Sequence, residues 1–65
     1  MALISLNSSC ILAVGYDEST GDLDVRFPSG RIYTHHGVPL EVYRGLINAS
    51  SVGRYYNANI RGRYN

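Results

Sequence analysis

The residues with the most chemistry to offer crowd toward the C-terminal end, in the run Arg54-Tyr55-Tyr56-Asn57-Ala58-Asn59-Ile60-Arg61-Gly62-Arg63-Tyr64. Guanidinium groups grip phosphate through charge-assisted, bidentate bonds, phenol rings give stacking planes, and an amide can meet a base edge or a sugar hydroxyl. Arg61, Arg54, Arg63 and Asn57 are therefore candidate ligand contacts. Just upstream, Ser51-Val52-Gly53 opens a predicted helix, whose first amides are unpaired and favour an anion, and Gly53 lets a ligand come close. Ser51 and Gly53 join the candidates. Tyr33 and His35 alternate along a predicted strand, share one face, and would extend a stacking platform.

Several of these residues have a plainer reading. Arg54 and Arg63 suit solubilising surface charges, His35 suits a packed histidine, and Tyr56 and Ile60 lie on an apolar helical stripe that belongs to the core. Arg61 either ties its segment to an acidic group such as Asp17 or Asp24, or contacts ligand. The sequence leaves both open.

Other chemistries lack a frame. Ser9, His35 and Asp24 supply the residue types of a hydrolytic triad, but there is no nucleophile elbow and no glycine run for an oxyanion hole, so catalysis is not expected. The glycines are scattered singly and form neither a P-loop nor a dinucleotide fingerprint. Cys10 has no second cysteine to pair with, and inside the apolar run Cys10-Ile11-Leu12-Ala13-Val14 it reads as a buried, inert thiol. His35 and His36 are neighbours on a strand and point to opposite faces, so they do not share a metal. No metal site and no cofactor are expected.

The elements that must position these residues read as three strands and two helices. From Cys10 to Tyr16 the chain is apolar and partly β-branched, and Asp17-Glu18-Ser19-Thr20-Gly21-Asp22 then supplies a turn with glycine at its positive-φ position. Leu23, Val25 and Phe27 alternate with Asp22, Asp24 and Arg26, as a half-buried antiparallel strand does. Phe27-Pro28-Ser29-Gly30 fits a tight turn, and Arg31 to His36 forms a third strand. Val38-Pro39 ends the sheet. Val42, Tyr43, Leu46 and Ile47 then mark one helix lying across it, and Ser50 or Ser51 caps a second, striped by Val52, Tyr55, Tyr56 and Ile60 and stopped by Gly62. The expected fold is α+β: a three-stranded antiparallel meander followed by two short helices, β-β-β-α-α, in one domain over residues 1–65.

A chain of 65 residues buries only about 60% of its unfolded surface, so a staple or a second copy is expected to enlarge the core. With no disulfide or metal in view, a homo-oligomer is the expectation. No stretch is long and apolar enough to span a membrane, and the start Met1-Ala2-Leu3-Ile4-Ser5-Leu6 lacks the basic and apolar regions of a signal peptide, which points to the cytoplasm. On that reading the sequons Asn7-Ser8-Ser9 and Asn48-Ala49-Ser50 have no consequence. Every basic residue is arginine, and the net charge is only +1. Duplex DNA, whose binding needs many neutralised phosphates, is not the expected partner.

Taken together, Ser8-Ser9, Val14-Gly15-Tyr16, Leu23-x-Val25-x-Phe27, Gly30-x-Ile32-Tyr33, Val38-Pro39, Val42-Tyr43, Leu46, Ala49-x-Ser51-x-Gly53, Tyr56-Asn57 and Ile60-Arg61-x-x-Tyr64 resemble the KTSC domain. That family occurs at the C-terminus of some lysyl-tRNA synthetases and also as short stand-alone proteins. His35 stands where the family's Tyr-x-Tyr strand has its second aromatic. The resemblance implies binding related to nucleic acid, and no reaction.

The expected function is a non-catalytic binding domain for a phosphate- and ribose-bearing ligand. A nucleotide derivative fits, bound or sequestered by a small oligomer; read as a chain complete from Met1, the protein suits a phage-type sequestering role. The alternatives are a module for single-stranded RNA or tRNA, and a protein-interaction module.

Overall fold

A computed structural model describes residues 3–6 and 8–64; the asparagine of the first sequon lies outside the described residues. The element order is β1 (Ile4–Ser5), β2 (Ala13–Asp17), β3 (Asp22–Arg26), β4 (Ile32–His35), α1 (Leu40–Ile47) and α2 (Val52–Asn59). The strands form one antiparallel sheet in the order β1-β2-β3-β4. The sheet thus has four strands where three are expected from the sequence. The added strand is two residues long, its Ile4 is half exposed, and it carries no alternation to betray it. It pairs antiparallel with β2, Ile4 opposite Val14 and Ser5 opposite Ala13.

The predicted first strand also starts later than its apolar run. Cys10, Ile11 and Leu12 precede β2 and belong to the return from β1, where Leu6 N–H donates to Leu12 O at 2.9 Å. The Ser8 hydroxyl organises this return by accepting from the amides of Cys10 and Ile11, at 3.2 and 3.4 Å. Cys10 is consequently exposed, correcting its reading as a buried thiol.

The β2–β3 hairpin follows its turn chemistry. Gly21, at φ +79°, closes on Asp17 O at 2.7 Å, and the Ser19 hydroxyl donates to the Asp17 carboxylate at 2.6 Å. The glycine has a second duty. A Cβ there would sit 3.3 Å from Gly37 Cα and Val38 O, because the sheet-to-helix connection lies against the hairpin tip. The β3–β4 turn closes as expected, with Gly30 at φ +94° donating to Phe27 O at 2.9 Å.

Register puts Val14, Tyr16, Leu23, Val25, Tyr33 and His35 on one sheet face. The helices cover that face. Ile11, Val14, Leu23, Val25, Val38, Leu46, Tyr56 and Ile60 make up the core, and Tyr16 stacks on Tyr43 of α1 with centroids 4.6 Å apart. Burial, then the carboxylates of Glu18 and Asp17, hold the Tyr16 phenol above its ordinary range, which keeps the proton that it donates to Val38 O. The opposite face carries Asp24, Arg26, Ile32 and Thr34, half-buried or exposed, with the Thr34 hydroxyl on the Asp24 carboxylate at 2.6 Å. Pro39 occupies the cap of α1 in extended backbone, and Ser51 caps α2 by accepting from Arg54 N–H. At Gly45 a Cβ would run into the Tyr55 phenol, so α1 and α2 pack through a glycine.

Two measurements check this account. Leu46→Ala, at a fully buried core position, should lower urea-unfolding stability by about 2–5 kcal/mol. The Ser19 hydroxyl and amide hold the Asp17 carboxyl below its ordinary value, so this contribution to stability is present above the unfolded carboxylate pKa of about 3.9 and is lost as pH falls through the folded value. Ser19→Ala should move the Asp17 titration, followed by carboxyl NMR, upward.

Candidate functional site

One cleft in the described structure combines cations, rings and amides. It has a volume of about 540 Å³ and lies between the β3–β4 hairpin and α2. Phe27, Ser29, Arg31, Tyr33 and His35 line the hairpin side, and Gly53, Tyr56, Asn57 and Arg61 the helix side, with Cys10 and Ile11 at the segment leading into β2. The helical period of α2 puts Gly53, Tyr56 and Asn57 on one face, while Arg61 follows just after its end.

Aromatic rings form much of the surface. Phe27 meets Tyr33 and Tyr56 edge-on, at centroid separations of 5.5 and 5.6 Å. Tyr33 remains 47% exposed, enough for a flat partner to reach its ring. The Arg31 guanidinium donates to the Tyr33 hydroxyl at 3.2 Å. At the start of α2 the helix passes so close to Cys10 that a Cβ on Gly53 would lie 2.9 Å from both its Cβ and its sulfur. The glycine is therefore occupied by protein packing.

His35 is 8% exposed, so it contributes to the floor of the cleft and does not offer its ring as an open stacking plane. Its Nδ1 lies 3.0 Å from the Tyr64 carbonyl and its Nε2 2.8 Å from the Tyr56 hydroxyl. A carbonyl can only accept, so Nδ1 carries the proton, and in the neutral ring Nε2 accepts from Tyr56 O–H. Burial pushes the Tyr56 phenol up, against the opposing pull of the Arg61 guanidinium, so this donor stays protonated through neutral pH. His36 points the other way, to the Asp22 carboxylate at 2.8 Å.

The predicted ligand contacts therefore divide. Arg61, Asn57, Tyr33, His35 and Gly53 come together in this cleft. Ser51 and Arg54 line a shallower depression with Gly45, Ala49, Ser50, Tyr55 and Ala58. The Arg63 side chain folds back onto the Ala58 carbonyl at 3.1 Å. Neither acid considered for Arg61 pairs with it: Asp17 is bonded to Ser19 and Asp24 to Thr34, and the ion pair among the described residues is His36–Asp22. Ser9, His35 and Asp24 do not converge, since both His35 nitrogens are engaged elsewhere and Asp24 lies on the far sheet face.

Arg31, Ser29, Phe27 and Cys10 enter the cleft without having been singled out from the sequence. For Arg31 and Phe27 a signal exists, because the tight turn Phe27–Gly30 brings its two flanks together at the same end of the sheet. Cys10 gave none, since its exposure depends on where β2 begins.

Comparison with known proteins agrees with this architecture. The KTSC domain description matches residues 7–64. A crystal structure of a KTSC domain protein from Yersinia pestis superposes with a TM-score of 0.95 at 30% identity, covering 98% of this chain and 90% of that one. A protein of Stutzerimonas stutzeri is 40% identical over 57 residues, 88% of this chain and 80% of its own length. A lysine–tRNA ligase of Nostoc sp. is 39% identical over 62 residues, which are 95% of this chain but 11% of the ligase. By the extent of these matches and by its fold, the chain belongs to the KTSC domain family.

Proposed function

We propose that this protein is a non-catalytic binding domain whose cleft takes a phosphate- and ribose-bearing ligand, a nucleotide derivative. The observation that carries the reading is the convergence of Arg61, Arg31 and Asn57 around exposed aromatic surface in one cleft of about 540 Å³. Pockets of roughly 300–1,000 Å³ with a few convergent polar groups are those that hold small molecules. Arginine supplies the phosphate contact, Tyr33 the stacking plane for a base, and Asn57 a partner for a sugar hydroxyl or base edge. Ligand turnover forms no part of this reading, which gives His35 a structural task instead of a catalytic one.

The same reading has the domain act as a homo-oligomer in the cytoplasm. A core of this size gains from a second copy, and Ile4, Leu12, Ile32 and Tyr33 each leave about half of their surface exposed. Among the described residues no helix is long and apolar enough to cross a membrane.

A second reading, a module for single-stranded RNA, is favoured by one observation, the match of nearly the whole chain to a segment of a lysine–tRNA ligase. The two differ in their response to salt, because each phosphate neutralised along a strand steepens the loss of affinity.

Native mass spectrometry and thermal melts with a panel of nucleotides, ADP-ribose derivatives and short RNAs decide between them. A stoichiometric nucleotide that raises the melting temperature supports the first reading, salt-sensitive RNA binding without it supports the second, and silence from both argues for a protein partner. Arg61→Ala should reduce nucleotide affinity at least about tenfold, ~1.4 kcal/mol or more, while the ligand-free protein still melts cooperatively. Wild-type affinity in that variant would remove Arg61 from the site.

A further inference from the structure

The charge of the cleft narrows the ligand beyond a nucleotide derivative in general. Two guanidinium groups line it from opposite walls: Arg31 follows the β3–β4 turn and Arg61 follows α2. No aspartate or glutamate is among the lining residues. The Tyr56 phenol is no substitute, since its hydroxyl is engaged by His35 and burial pushes its pKa up.

Neither arginine is neutralised from elsewhere in the described structure. The Arg31 side chain donates to the Tyr33 hydroxyl, an uncharged partner that orients one edge of the guanidinium and leaves its remaining donors for other acceptors. Arg61 is held through its backbone, whose N–H donates to Tyr56 O at 2.9 Å, and its side chain makes no hydrogen bond to a described residue. The two cations line the same cleft with no carboxylate among its lining residues, and like charges brought together repel. Folding brings them into one space without compensation. One phosphate answers one fork. Two linked phosphates answer both, and the exposed Tyr33 ring beside Arg31 leaves a place for the attached base.

Resting on the reading of this cleft as a nucleotide site, we propose that its ligand carries a diphosphate, gripped by Arg31 and Arg61 together, with Arg31 as a phosphate contact equal to Arg61. The ligand class is then a nucleoside diphosphate or a nucleotide joined through a pyrophosphate.

Isothermal titration at fixed ionic strength with four probes, inorganic phosphate, inorganic pyrophosphate, AMP and ADP, tests this on the wild-type protein and on Arg31→Gln and Arg61→Gln. Pyrophosphate should bind at least tenfold tighter than phosphate, and ADP at least tenfold tighter than AMP. Either substitution should cut ADP affinity at least tenfold and erase most of the preference for two phosphates over one. AMP binding as tightly as ADP, or Arg31→Gln binding ADP like the wild type, would overturn the diphosphate assignment and leave the single-phosphate reading standing. Failure of AMP and ADP alike to bind the wild-type protein would overturn both. The wild-type comparison needs no variant, so it decides the matter even where a substitution prevents folding.

Discussion

His35 ties together the parts of this small domain that would otherwise be joined by little more than apolar contact. One ring nitrogen bonds the Tyr56 hydroxyl on α2 and the other the Tyr64 carbonyl in the segment beyond it, while the residue itself belongs to the edge strand β4. A buried imidazole with both nitrogens engaged is costly to disturb, because loss of either partner leaves a polar group without water or hydrogen bond. Arg61 lies between Tyr56 and Tyr64 in sequence. The clasp therefore fixes both ends of the stretch that carries this guanidinium, and with it one wall of the cleft.

The second constraint is distance. At three places a glycine admits a neighbour that a side chain at that position would crowd. Gly53 lies against Cys10, Gly45 under the Tyr55 phenol, and Gly21 against the connection at Gly37 and Val38. Each contact joins parts remote in sequence, and two of them set the position of α2 relative to the sheet and to α1. Since α2 forms the helix side of the cleft, the width of that cleft follows from these approaches.

Electrostatics complete the arrangement. The three aspartates are engaged locally: Asp17 by its turn, Asp24 by Thr34 across the strands, Asp22 by His36. Arg31 and Arg61 consequently face the cleft without a carboxylate from the described structure. A domain with a net charge of +1 still presents a locally cationic, aromatic surface, which suits a small anionic ligand better than a long polyanion.

The antiparallel hairpins, the two helices and some of the cleft's residues, Arg61, Asn57 and Tyr33 among them, were legible in the sequence because they depend on local chemistry. Leu23 and Val25 alternate with Asp22 and Asp24, Gly21 and Gly30 mark their turns, and Ser51 caps α2. The pattern Ile60-Arg61-x-x-Tyr64, with Val38-Pro39 and Ser51-x-Gly53, likewise carried the family resemblance that the matches bear out. Strand β1 was not legible, since two residues without alternation carry no period and only β2 gives them a partner. Nor was the partition of the arginines. All six look alike in sequence, yet helix period and chain return send Arg61 to the cleft, Arg54 to a shallow depression and Arg63 back onto a carbonyl. The sequence by itself determined which elements form and which chemical groups they carry, because turns, caps and periodicity act over a few residues. Only the tertiary structure decided that His35 is a clasp, that Cys10 is exposed and that Arg31 meets Arg61, because each depends on how segments far apart in the chain pack together.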